Sequence, residues 1–157
     1  MGVVTRWPAT DILAGDIFAW NHLKRTRPWF DKLHLAQVQG LHCGPHGVVP
    51  DKWPVVSKPV MDLDGIHRDA EIWASPADMV YQPGYFWCEY IEGDLQLLDL
   101  WVEDCEASMV GNDRTAVHEH VLEFISSHFN WHTGALNLSC VGNVITAIHW
   151  GWLNLDR

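Results

Sequence analysis

The pair Gly142-Asn143 stands between two β-rich runs, Ala135 to Val141 and Val144 to Trp150, and no other feature limits the possible folds as much. Glycine and asparagine accept the positive φ of a two-residue turn, so the spacing predicts a tight antiparallel hairpin. A second pair of apolar runs, Tyr85 to Ile91 and Leu95 to Val102, is separated by Glu92-Gly93-Asp94 and predicts another hairpin. Strands joined by short turns build antiparallel sheets, whereas parallel strands need crossovers.

Elsewhere the period changes. Phe30, Leu33, Leu35, Val38 and Leu41 recur near helical spacing from Pro28, which suits a first turn, to Gly40, which suits a stop. The stretch from Arg114 to His128 repeats this pattern, with Val117, Val121, Leu122, Phe124 and Ile125 inward and Asp113 as its cap. Trp53 to Val60 is β-rich and bounded by prolines, which keep a strand short or at an edge. Met61 to Ala74 carries Asp62, Asp64, Gly65, His67, Arg68 and Asp69, a polar loop that returns into a short strand near Ile72. The expected class is α+β: a largely antiparallel sheet with two helices on one face, in one domain over residues 28–157. Residues 1–27 show no sustained period and are expected to be irregular.

With 157 residues the chain is long enough for one domain with a real core. Ten basic against 20 acidic residues give a formal charge of −10, which repels phosphate backbones and excludes a generic nucleic-acid binder. No apolar run approaches the ~20 residues of a membrane span. The opening Met-Gly-Val-Val-Thr-Arg has no signal-peptide core, so a cytoplasmic location is expected. Cys43, Cys88, Cys105 and Cys140 are far apart in sequence and are read as free thiols. Ten tryptophans must fill the core or cover a partner. Any that are exposed would mark an interface with a protein partner or a second copy.

Three stretches in order, from Asp31 to Trp150, resemble the ATP-grasp family. Asp31-Lys32, a helical stretch to Gly40-Leu41 and then Pro45 is similar to the segment that opens the family's nucleotide-binding half. Pro54-Val55-Val56-Ser57-Lys58-Pro59-Val60 is similar to its phosphate-contacting strand, and Glu89-Tyr90-Ile91-Glu92-Gly93 to the hinge strand beside the adenine. Thr133 to Leu138 with Val144 to His149 resembles the closing hairpin. The resemblance implies ATP as cofactor, with Lys32 and Lys58 on its phosphates. It also implies Glu89, Tyr90 and Ile91 at the base, and Asp99 and Asn137 toward the cleft. Lysine suits the phosphate role as a compact point charge. The family also implies Mg²⁺, held by a carboxylate on each of two neighbouring strands. The counterparts here are Ser139 or Cys140 on one strand and Ala147, His149 and Gly151 on the other. No catalytic residue is assigned. Two functions follow from the resemblance. One is a degenerate, non-catalytic binding or assembly module, such as a compact accessory protein of a phage or mobile element. The other is a minimal ATP-dependent carboxylate-amine ligase.

Other constellations have plainer readings. His42, Cys43 and His46 lack a fourth ligand for zinc and surround a Gly44-Pro45 turn. His118-Glu119-His120 does not place two imidazoles on one helix face. Ser127, His128 and His132 lack a nucleophile elbow. Lys58 also reads as an edge-strand charge that discourages aggregation, and Asp99 as a strand residue facing solvent.

Overall fold

Two four-stranded antiparallel sheets share the chain within residues 11–61, 70–110 and 118–151, which the computed structural model describes. Helix α1 (Asp11–His22) leads through a 3-10 turn at Lys24–Phe30 into α2 (Lys32–Val38). The first sheet takes β1 (Cys43–Pro45), β2 (Val55–Pro59), β3 (Glu71–Trp73) and β4 (Tyr85–Glu89) in the order β1-β4-β2-β3. The second takes β5 (Leu95–Glu103), β6 (Glu106–Met109), β7 (Gly134–Val141) and β8 (Val144–His149) in the order β6-β5-β7-β8. Helix α3 (Glu119–His128) lies between β6 and β7 in sequence. The class is α+β as expected, but the strands form two sheets where one was predicted.

The sheets part where the sequence reads as a hairpin. Strand β4 pairs with β1 and β2, whereas β5 pairs with β6 and β7, so Tyr90 to Asp94 carry the chain from one sheet to the other. Gly93 adopts φ 137° there, a conformation open to glycine and strained for other residues. Strand β5 instead matches β7 over eight positions, setting Leu98 opposite Leu138 and Leu100 opposite Leu136. The β7–β8 hairpin forms as expected, with Gly142 at φ 59° in its turn. Strand β2 lies inside its sheet between β3 and β4, which corrects the edge assignment.

One face of the second sheet holds the main core. Leu98, Leu100, Val102, Leu136, Leu138 and Ile148 pack with Val121, Phe124 and Ile125 of α3. Trp29 meets Phe124 and Phe129 edge-on, with centroids 5.6 and 5.1 Å away. Leu122, expected inward, is exposed, because Val121, Phe124 and Ile125 already form the buried stripe. The N-cap of α3 is His118, whose Nδ1 accepts from the His120 N–H at 3.0 Å. The cap expected at Asp113 lies outside the described residues. Similarly α2 starts at Lys32, four residues after Pro28, because the Asp31 carboxylate accepts from the His34 N–H at 3.0 Å and caps it there.

The helix α1 falls in the segment expected to be irregular. Its buried face is Ile12, Gly15, Asp16 and Ala19, two of them a glycine and an aspartate, while the apolar Ile17 and Phe18 are exposed, so hydrophobic spacing does not reveal it. It docks by close approach, since a Cβ at Gly15 would lie 2.6 Å from the Trp150 carbonyl oxygen. The free edge of β8 is closed by Gln39, whose amide donates to Ile145 O at 2.7 Å and accepts from Ile145 N at 2.8 Å. Of the described tryptophans, Trp29, Trp73, Trp87 and Trp150 are buried, and Trp20, Trp53, Trp101 and Trp131 are half-buried. None of these is exposed, and Trp7 and Trp152 lie outside the described residues.

Two predictions follow from this packing. Gly15→Ala puts a methyl group against backbone and is expected to cost about 1–3 kcal/mol in urea denaturation; an unchanged midpoint would mean α1 is not docked at Trp150. His132 is buried, which pushes its imidazole below the usual range despite its hydrogen bond to Ala135 O. The unfolded chain then binds the proton first, so this contribution is complete above pH ~6.5 and is lost as pH falls from there toward the depressed folded value. The melting temperature is expected to drop more steeply on acidification in the parent chain than in His132→Gln. Parallel slopes would remove His132 from the account.

A candidate nucleotide cleft between the sheets

Alternation along the strands decides what faces the gap between the sheets. In β2, Val55 and Ser57 point one way while Val56 and Lys58 point the other. Cross-strand register sets Val56 opposite Cys88 and Lys58 opposite Phe86, so these four share a face. Helix α2 supplies Lys32 and Ala36, and the second sheet supplies Leu95, Val141 and Val144, enclosing a cavity of about 260 Å³. Lys32, Lys58, Glu89, Tyr90 and Ile91 all line it. Five of the residues that the family resemblance selects therefore converge on one cleft.

Four of them are held by specific contacts. The Lys32 backbone N–H donates to Val60 O at 2.9 Å, fixing the start of α2 to the end of the β2 segment. The Lys58 Nζ lies 5.6 Å from the Phe86 ring centroid. Only 8% of Lys32 and 9% of Lys58 is exposed, so both side chains are buried along the cleft wall. Along the hinge, Glu89 N–H donates to His42 O at 2.8 Å and Tyr90 N–H to Pro54 O at 3.3 Å. The Glu89 carboxylate accepts from His42 N–H at 2.8 Å. These bonds leave the amide of Ile91 as the first on this stretch with no backbone acceptor among the described residues.

Asp99 and Asn137 lie elsewhere, and neither lines the cavity. They sit opposite each other on β5 and β7, with Asn137 Nδ2 donating to Asp99 Oδ1 at 2.7 Å. Register places them on the same face as Leu95 and Val141, four residues along β5 from the cavity wall. Asp99 is buried, so it is not the solvent-facing residue of the plainer reading. The row continues to His149, opposite Asn137. His149 Nδ1 is 2.7 Å from Asp16 Oδ2, and the other Asp16 oxygen accepts from Trp150 N–H at 2.8 Å. Asn137 Oδ1, Ser139 Oγ and His149 Nε2 are buried without a hydrogen-bond partner among the described residues.

This row does not fit magnesium. Mg²⁺ demands hard oxygen ligands in octahedral array. The row offers the neutral oxygens of Asn137 and Ser139 and one carboxylate, Asp99, already bonded to Asn137, while β8 presents an imidazole where a second carboxylate is needed. Among the described residues no three His, Cys, Asp or Glu side chains gather in a metal-binding group. The zinc candidate also disperses: His42 Nε2 is 2.9 Å from Asp51 Oδ1, while His46 Nε2 faces Ser57 Oγ at 2.9 Å. The Gln82 N–H donates to His46 Nδ1 at 2.9 Å, leaving Nε2–H as the donor toward Ser57. Ser57 therefore has no general base in this ring.

Val56, Phe86 and Cys88 were not singled out from sequence, although counting by twos from Lys58 and across the ladder reaches all three. Asp16 and His149 gave no such signal, because their partnership spans nearly the whole chain.

No family model and no curated protein matches the sequence. Among solved structures the chain is similar to the L-amino acid ligase from Bacillus licheniformis, with a TM-score of 0.55 at 12% identity. That match covers 81% of this chain and 41% of the ligase. A putative ATP-grasp superfamily protein from Archaeoglobus fulgidus gives a TM-score of 0.49 at 15% identity, covering 82% of this chain and 47% of that one. The chain spans less than half the length of either protein, and at these identities the likeness is one of fold. Two antiparallel sheets with flanking helices make an α+β fold, shared in part with that ligase. No helix among the described residues is long and apolar enough to cross a membrane.

Removing the Asp16 carboxylate strands the Trp150 N–H and the His149 Nδ1 in the interior. Asp16→Ala is expected to cost about 2–4 kcal/mol in urea denaturation. A loss below about 0.5 kcal/mol would show that the pair is not formed in solution.

Proposed function

We propose that this chain is a degenerate ATP-grasp-like module that holds an adenine nucleotide in the cleft between its sheets and acts in binding or assembly rather than in phosphoryl transfer. One observation carries the reading: two buried lysines from separate elements, Lys32 and Lys58, line one largely apolar cavity beside a hinge segment with a free amide. Apolar walls take up the faces of a base, the hinge amide its edge, and the lysines its phosphates.

The buried row on β5, β7 and β8 supports the non-catalytic half of the proposal. Phosphoryl transfer depends on metal ions that position the phosphates and neutralise developing charge. His149 Nδ1 is bound to Asp16 and Asn137 Nδ2 to Asp99, and β8 adds no carboxylate to the row. The likeness in fold to an L-amino acid ligase makes ATP-dependent carboxylate-amine ligation the second reading. That activity needs magnesium carboxylates from another segment or chain.

Calorimetric titration of ATP and ADP, with and without Mg²⁺, tests both. Binding is expected at similar affinity with and without the metal, weakened about 10- to 100-fold in Lys58→Ala and Lys32→Ala through loss of a charged contact. Absence of binding by either nucleotide would sink the proposal. Metal-dependent binding with release of ADP or AMP would establish the ligase reading.

A further inference from the structure

Cys43 and Cys88 stand 45 residues apart in sequence and directly opposite each other in the β1–β4 ladder. The bonds that flank them define the type of pair. Glu89 N–H donates to His42 O at 2.8 Å, and His46 N–H donates to Tyr85 O at 3.1 Å. In an antiparallel ladder this makes Cys43 and Cys88 a non-hydrogen-bonded pair, the narrow type with Cα atoms about 4.5 Å apart and side chains on one face. Disulfides span Cα separations of about 4.4–6.8 Å, so the backbone already lies within that range. Both residues belong to the same small apolar cluster against α2, with Ala36 and Phe86.

We propose that Cys43 and Cys88 form a reversible disulfide site on the cleft wall, oxidised by exchange with a small-molecule disulfide such as oxidised glutathione. Cys43 is the half-buried member and Cys88 the buried one, which lines the cavity. The order of attack follows from access. The Cys43 thiolate attacks one sulfur of the reagent, breaking its S–S bond and releasing one thiolate, which takes up a proton. The Cys88 thiolate then attacks Cys43 Sγ in the mixed disulfide and releases the second. Two protein thiols and one reagent disulfide become one protein disulfide and two reagent thiols, with two electrons passing to the reagent. Burial raises both thiols above their usual range, with Glu89 adding to this and Lys58 offsetting part of it at Cys88, so the exchange is slow at neutral pH and accelerates as pH rises.

The other thiols serve as internal controls. Cys105 is exposed at a turn and faces no cysteine, and Cys140 is buried with its thiol pushed up to about 12, opposite Gln96 and Ile145. The site does not depend on what the cleft binds. Its test is incubation of the full chain with oxidised glutathione at mildly alkaline pH, alkylation of remaining thiols, and peptide mapping by mass spectrometry. The expected result is a peptide pair joined through Cys43 and Cys88 that dithiothreitol separates, with Cys105 carrying only a glutathione adduct. Cys105→Ser should retain the link and Cys43→Ser should lose it. Mapping that finds Cys43 and Cys88 both alkylated, or Cys43 held only as a glutathione adduct, overturns the proposal, and the parent chain alone decides this if a variant does not fold.

Discussion

The pairing of β5 with β7 is the contact on which the rest of the structure depends. Its eight positions draw the chain out of the first sheet after Glu89 and start a second sheet. Because a strand sends alternate side chains to opposite faces, the ladder sorts its residues at once. Leu98, Leu100, Leu136 and Leu138 face α3 and close the core, while Leu95, Asp99, Asn137 and Val141 face the other way. Had β5 folded back on β4, as the Glu92-Gly93-Asp94 spacing predicts, there would be one sheet and no gap between sheets. The cleft is thus a consequence of where a strand finds its longest apolar match.

Within the cleft the charges are divided. A chain of net charge −10 places two lysines in one largely apolar cavity, where each charge acts at lower dielectric than on the surface. The carboxylates of the second sheet are kept apart from them. Asp99 is turned to Asn137, and Asp16, arriving from α1, holds His149 Nδ1 and the Trp150 amide. Buried carboxylates with two hydrogen-bonding partners fix geometry, and here they fix the end of β8 against the N-terminal helix.

The sequence reading succeeded where the signal is local and failed where it is shared between distant elements. Gly142-Asn143 specified its hairpin because a tight turn needs only the residues in it. Gly40 ended α2 as expected, at φ 76°, for the same reason. The start of α2 moved because the Asp31 cap outcompetes Pro28 for the first turn, a choice between two adequate signals. Helix α1 was missed because a glycine and an aspartate share its buried face with Ile12 and Ala19 while Ile17 and Phe18 point outward, a mixture that a hydrophobic period does not register. Cys43 and Cys88 looked independent because only the β1–β4 register reveals that they are neighbours.

What the sequence determined by itself was the α+β class, the antiparallel habit of its strands, and the lysines and hinge residues that now line one cleft. The class and the antiparallel habit follow from turn chemistry and strand alternation, and the cleft residues from short motifs that resemble the ATP-grasp family, each readable within a few positions. The division into two sheets, the docking of α1 at Trp150, the Asp16–His149 pair and the facing cysteines were decided by tertiary structure. Each depends on which distant segment offers the better apolar match or the needed hydrogen bond, a comparison made only when the whole chain is packed.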